Sequence, residues 1–213
     1  MKIITCEQGS VEWFAARTGV ITASMFSTAV DKYVKATGSK KVGDMKQVAE
    51  NYAFKVAVER ISGETTDDTY QTWAMKRGNE LEGAGRLLYA DRTGNAVTET
   101  GVVLTDCGYF GYSSDGLVNQ DGGIEIKCLL SAKSIMPVID GDLSEFNDQM
   151  QGGMMINERE WCDFVLYVPQ LTKMNKEIYI RRVYRNEAYI KTLRQDLADF
   201  NDHVWSLINK LSA

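Results

Sequence analysis

The chain has 213 residues, 44% hydrophobic and 25% charged, with a formal net charge of −5. This is an ordinary globular composition of one-domain length, and its acidic balance does not advertise a nucleic-acid binder. No apolar run approaches the roughly 18 residues of a membrane span, and the opening "MKIITCEQGS" has no signal-peptide core, so a cytoplasmic protein with no membrane partner is expected.

Two residue types narrow the chemistry. Cys6, Cys107, Cys128 and Cys162 are scattered with no CxxC pair, which argues against a zinc site and, in a reducing cytosol, against disulfides. His203 is the single histidine, so a His-based triad or multi-His metal site is not expected. Any catalytic metal would then be oxygen-ligated, favouring magnesium or manganese. Positive charge gathers in "DKYVKATGSKKVGDMK" (31–46) and "RRVYR" (181–185). Such clusters are usually solvated faces, and they form a DNA footprint only if the fold joins them.

In chain order, Ser10 caps a short helix, "SVEWFAAR", which Gly19 ends, and "TASMFSTAV" predicts a second. Residues 31–43 read as a loop. Val48, Tyr52, Val56 and Ile61 predict a helix over 45–61. Another is predicted over 69–94, with Leu81, Ala84, Leu87 and Leu88 as its buried stripe. Period-two alternation then predicts an antiparallel meander of strands at 96–105, 109–118 and 123–129. A helical stretch at 131–157, strands at 161–169 and 176–185, and a helix from 186 to 211 complete the chain. The expected architecture is a single α/β or α+β domain over 1–213, a sheet flanked by helices.

Within "SSDGLVNQDGGIEIKCL" (113–129), Glu125 and Lys127 lie two apart on a strand and share one face, while Ile124 and Ile126 share the other. The turn "NQDGG" folds Asp115 back toward Glu125. Two carboxylates and a lysine suit phosphodiester hydrolysis, holding a divalent ion and orienting a water. Alternation alone fits a salt-bridged strand with one wet face better than a nuclease site.

Four blocks taken together resemble the phage lambda exonuclease, or YqaJ-type viral recombinase, family of the PD-(D/E)XK nuclease superfamily. They are "EWFAARTGVITAS" (12–24), "MKRGNELEGAGR" (75–86), the 113–129 stretch and "FNDQMQGGMM" (146–155). The stretch departs from relatives in reading "KCL" where K-C-P is frequent, which alters the strand exit and not the ligands.

The resemblance implies a PD-(D/E)XK nuclease-like core with a central mixed sheet. It also implies that Asp115, Glu125 and the Ile126 carbonyl bind Mg2+, with Mn2+ as substitute. Lys127 would act on the attacking water, assisted by Glu82 and Gln149. Arg17, Ser24 and Ser113 would receive the 5′-phosphate, and Met75 falls where the family carries a wedge that splits the duplex end.

The implied activity is 5′→3′ exonucleolysis of one strand at double-stranded DNA ends, releasing mononucleotides and leaving a 3′ overhang. A homotrimer ring, a single-strand annealing protein as partner, and a phage or prophage origin in a bacterial host are implied with it. A PD-(D/E)XK endonuclease and a non-catalytic DNA-end-binding scaffold are the alternative readings.

Overall fold

The computed structural model describes residues 1–66 and 73–213. Two mixed sheets share the chain. The first contains β1 (Lys2–Ile4), β2 (Ile21–Thr22), β4 (Val102–Leu104) and β5 (Phe110–Tyr112), in the order β1-β4-β5-β2. The second contains β3 (Val97–Thr98), β6 (Gly116–Val118), β7 (Gly122–Lys127), β8 (Trp161–Tyr167) and β9 (Ile178–Tyr184), in the order β3-β6-β7-β8-β9. Both are mixed because β2–β5 and β7–β8 are parallel pairs. The helices are α1 (Val11–Arg17), α2 (Phe26–Ala29), α3 (Gln47–Ser62), α4 (Trp73–Thr93), α5 (Ala132–Ile139), α6 (Asn147–Asn157) and α7 (Glu187–Leu211). None among the described residues is long and apolar enough to cross a membrane.

The predicted meander is not continuous. Stretch 96–105 splits into β3 in one sheet and β4 in the other, and 109–118 splits likewise into β5 and β6. At the first break the chain presses on β1: a Cβ on Gly101 would sit 2.3 Å from the Ile4 carbonyl oxygen, so only glycine fits. At the second, Ser114 turns the backbone by donating its hydroxyl to the Gly116 carbonyl at 2.9 Å. The predicted helical stretch 131–157 also divides, at Gly141, whose φ of +95° ends α5 before α6 begins.

Helix faces were predicted from large apolar residues, and the structure corrects two. In α3, Val48 and Ile61 are exposed, while Ala49, Ala53 and Ala57 are buried with Tyr52 and Val56. Small side chains let α3 approach α7, where Tyr52 stacks on Phe200 at 5.5 Å between ring centroids. In α4, Leu87 is 76% exposed and Ala84 is also exposed, whereas Gly85 and Tyr89 are buried. Its inward face reads Glu82, Gly85, Arg86, Tyr89, one helical stripe that is largely polar. Positions 69–72 of the predicted helix lie outside the described residues.

The five-stranded sheet is covered on both sides. Trp161 and Val165 of β8 pack with Ile124, Ile126 and Tyr89 under α4. Cys162, Phe164 and Leu166 face the opposite way, onto Phe146, Met150 and Met154. This period-two division of a doubly buried strand places β7 and β8 at the centre of the molecule.

The charge clusters serve structural ends in part. Lys32 pairs with Asp196 at 2.7 Å and Lys46 with Asp31 at 2.7 Å. Stretch 31–43, expected as loop, takes part in two antiparallel bridges, Lys32↔Met45 and Thr37↔Lys40. Arg182 grips buried Asp163 through two bonds of 2.8 and 2.9 Å, and Arg185 donates to the Met154 carbonyl at 2.6 Å. His203 joins Glu50 at 2.8 Å, tying α7 to α3, and all four cysteines are free thiols.

Candidate active site

β7 is not an edge strand with a wet face. It lies between β6 and β8, and Glu125 is 1% exposed. A buried carboxylate needs donors, and three converge on it. Lys127 Nζ reaches Oε1 at 2.8 Å, Gln149 Nε2 reaches the same oxygen at 2.6 Å, and the Tyr112 phenol donates to Oε2 at 2.9 Å. Lys127 Nζ also donates to Gln149 Oε1 at 3.2 Å, so strand, lysine and helix amide form one closed network.

Asp115 is placed by the end of a ladder. β6 pairs with β7 only as far as Gly116↔Ile124, which leaves the next β7 amide on that side without a strand partner. Asp115 Oδ2 takes it, accepting from the Ile126 N–H at 2.6 Å. In a strand the carbonyl of a residue points to the same side as its N–H, so the Ile126 carbonyl is directed to that edge as well. Asp115 Oδ1 has no hydrogen-bond partner among the described residues.

From α4, Glu82 accepts from Arg86 at 2.9 Å, and Arg86 also donates to the Asp115 carbonyl at 2.7 Å and pairs with Glu99 at 2.6 Å. One arginine thus ties a helix acid to the turn that carries Asp115. Gly85 makes this close approach possible, since its Cβ would lie 3.2 Å from Ile126 Cγ2 and 3.3 Å from Tyr167 Cβ. Glu80, the neighbouring acid, is exposed.

These groups open on a cavity of about 400 Å3. Glu82, Asp115, Glu125, Ile126, Lys127 and Gln149 line one part of it, and Arg17, Ser24 and Ser113 line it too. The Arg17 guanidinium stacks on the Trp13 ring at 3.9 Å and reaches the Ser113 hydroxyl at 3.4 Å, which also accepts from Trp13 Nε1 at 2.9 Å. Ser24 sits 3.3 Å from the Thr22 hydroxyl. The turn behind Arg17 is locked from α3: Glu59 accepts from the Gly19 N–H at 2.8 Å, and Arg60 donates to the Gly19 carbonyl at 2.8 Å. Gly19 has φ +70°, and a Cβ there would strike Arg60 Cγ at 2.8 Å.

Crowding around Glu125 shifts the protonation of Asp115 and Glu82. Burial first, then Glu125 and Glu82, hold the Asp115 carboxyl well above the ordinary range. Burial and Glu125 likewise raise Glu82, opposed by Arg86. Burial pulls the Lys127 ammonium down, but Glu125 and Asp115 more than offset this and leave it raised. The Tyr112 phenol is pushed well up, by burial and then by Glu125, and so remains a donor.

The donor set fits a hard divalent cation. Asp115 Oδ1, the Glu125 carboxylate and the Ile126 carbonyl are all oxygens at one edge of β7, beside a cavity where phosphate oxygens and water can complete the shell. Among the described residues no three His, Cys, Asp or Glu side chains form a ready-made cation cage.

Every predicted site residue except Met75 therefore meets at this cavity; the Met75 side chain lies outside the described residues. Tyr112, Arg86 and Gln8 were not predicted. Gln8 donates to the Thr100 and Ser114 carbonyls at 3.0 and 2.8 Å, bracing both strand breaks. Only Arg86 had a local signal, its i,i+4 spacing from Glu82.

A mixed sheet carrying an acid and a lysine on one strand and a second acid just ahead of the adjoining hairpin strand, with a helix acid alongside, is the core of a PD-(D/E)XK-type nuclease fold. The chain belongs to the YqaJ-like viral recombinase domain family, whose model matches residues 12–160. It is similar to an alkaline exonuclease (LHK-Exo) from Laribacter hongkongensis, with a TM-score of 0.80 and 32% identity over 95% of this chain and 96% of that one. LHK-Exo in complex with dAMP matches at a TM-score of 0.81 and 32% identity, with the same coverage of 95% and 96%. A phage-related exonuclease from Haemophilus somnus 129PT shares the fold at a TM-score of 0.69 and 16% identity, over 90% of this chain and 96% of that one. No curated protein matches the chain.

Proposed function

We propose that the protein is a metal-dependent 5′→3′ exonuclease that degrades one strand of linear double-stranded DNA. The observation that carries this reading is the shared cavity, where the Arg17–Ser113 cluster adjoins the Asp115–Glu125–Lys127 cluster. Ser113 and Asp115 are two residues apart, at most about 7 Å along the chain, a separation on the scale of one nucleotide. A terminal phosphate held at Arg17 would present the first internucleotide bond to the acids. Hydrolysis there releases a mononucleotide, the chemical class of the dAMP bound to LHK-Exo.

Each residue has a role suited to its chemistry. Arg17, braced flat on Trp13, offers a bidentate fork to the terminal phosphate, with the Ser113 and Ser24 hydroxyls beside it. Asp115, Glu125 and the Ile126 carbonyl would hold Mg2+, for which Mn2+ could substitute, and a bound ion would supply positive charge beside the scissile phosphate and lower the pKa of a water. Lys127 orients that water and offsets charge gathering on the phosphorane oxygens. Gln149 hydrogen-bonds the water or a phosphate oxygen without adding charge, and Glu82 orders the water shell beside Arg86.

The product is duplex with a 3′ overhang, which a single-strand annealing protein would take up. A homotrimeric ring threaded by DNA is proposed with it; family membership supports both. The test is digestion of end-labelled linear duplex with Mg2+ or EDTA, comparing 5′-phosphate with 5′-hydroxyl ends and with covalently closed circles. Release of 5′-mononucleotides only with metal, faster from 5′-phosphate ends and absent from circles, is expected. Circles cut as fast as linear DNA would make it an endonuclease, and no cleavage of any substrate would leave a DNA-end-binding scaffold.

A further inference from the structure

Residues 112–115 grip residues 125–126 at two points. The Tyr112 hydroxyl donates to Glu125 Oε2 at 2.9 Å, and three residues on, Asp115 Oδ2 accepts from the Ile126 N–H at 2.6 Å. Tyr112 ends β5 in the first sheet and Glu125 lies in β7 of the second, so the phenol bond spans the two sheets across the Ser113–Asp115 turn. We propose that Tyr112 is a positioning residue for the hydrolytic site, its hydroxyl fixing the Glu125 carboxylate and, with it, the spacing between Glu125 and Asp115. This rests on the reading of Asp115 and Glu125 as the cation-binding pair.

Three features support it. The donors on Glu125 are unevenly divided: Lys127 and Gln149 share Oε1, and Tyr112 alone serves Oε2. Lys127 and Gln149 are also the groups assigned to water and phosphate. Tyr112 has one O–H, is 6% exposed and has no such second duty. Its ring is also immobilised, packed in the core with Ile21, Phe26, Val103 and Ile156. Gly153 of α6 lies so close that a Cβ there would sit 2.6 Å from the ring. A clamped ring directs its hydroxyl to one place.

The direction of the effect has two contributions. A carboxylate stripped of a donor is more basic, which alone would favour a cation. It is also free to rotate in a pocket built for one orientation, and lost orientation is the larger effect when partners of ligating carboxylates are removed, about 10- to 100-fold in metal affinity or activity.

The test is calorimetric titration with Mn2+, without DNA, of the wild type, Tyr112→Phe and Glu125→Gln. Tyr112→Phe keeps the packed ring and loses only the hydroxyl, and is expected to weaken Mn2+ binding about tenfold. Its nuclease activity should need correspondingly more metal and recover towards wild type at saturation. A purely structural role would lower the melting temperature in EDTA and leave the Mn2+ Kd in place.

If Glu125→Gln loses binding while Tyr112→Phe binds within twofold of wild type, the inference is wrong and the cation reading stands. If Glu125→Gln binds as wild type does, both are overturned. Should Tyr112→Phe not fold, Gly153→Ala, which displaces the ring, is titrated instead, and unchanged binding overturns the inference equally.

Discussion

Lys127→Ala separates the two duties of this lysine. Lys127 Nζ lies 2.8 Å from Glu125 Oε1, and the Glu125 side chain is 2% exposed against 25% for the lysine. Removing one partner of a buried ion pair costs roughly 3–5 kcal/mol when the other charge is stranded. Glu125 is not stranded, because Gln149 and Tyr112 still donate at 2.6 and 2.9 Å. The loss therefore reduces to one charge-assisted hydrogen bond, about 1.5–3 kcal/mol. For a chain of this size that is a melting temperature lower by roughly 3–12 °C in EDTA.

Saturating Mg2+ supplies the missing positive charge, so the gap in melting temperature should narrow. Activity should not recover, because the water-orienting group is gone, and a loss of about 10²–10⁴ in kcat is expected. Differential scanning fluorimetry with and without Mg2+, paired with duplex digestion, reads both effects. A variant with wild-type activity, or a melting deficit as large in Mg2+ as in EDTA, would refute the reasoning.

Arg17→Ala should abolish the preference for 5′-phosphate over 5′-hydroxyl ends while leaving slow metal-dependent cleavage of both, read by initial rates on the two labelled duplexes. The raised carboxyls give a pH signature. Because Asp115 binds its proton more tightly folded than unfolded, its contribution is fully present below the unfolded value of about 4 and is lost as pH rises through the raised folded value. Melting temperatures in EDTA should therefore fall with rising pH more steeply for wild type than for Asp115→Asn, and Mg2+ should flatten the wild-type slope; parallel slopes would contradict this. Gly19→Ala forces a side chain into φ +70° against Arg60 and should cost about 1–2 kcal/mol or more, measured by urea denaturation.

Most of the element order was legible because long helices and strands carry their own periodicity. The strand breaks were not, since nothing local marks a strand that changes sheets. Gly101 has its meaning only through β1, and Ser114 only through its bonds to Gly116. The stripes of α3 and α4 were misjudged because close packing selected small residues in one and the site selected polar ones in the other. Asp115, Glu125 and Lys127 were legible as a triplet within one hairpin, yet the same pattern fitted a wet-faced strand. Burial of Glu125 removes that alternative. Tyr112 and Gln8 act by reaching across the fold, so no spacing in the chain announces them.

The central claim is that one cavity binds a terminal phosphate and hydrolyses the neighbouring bond with a metal held by Asp115 and Glu125. The most direct measurement is product analysis of 5′-labelled, 5′-phosphorylated linear duplex incubated with Mg2+, with EDTA, and with Asp115→Asn in Mg2+. Labelled 5′-mononucleotide should appear first and only in the wild-type Mg2+ reaction. Longer labelled fragments as the first product, or undiminished release in EDTA or by Asp115→Asn, would contradict it.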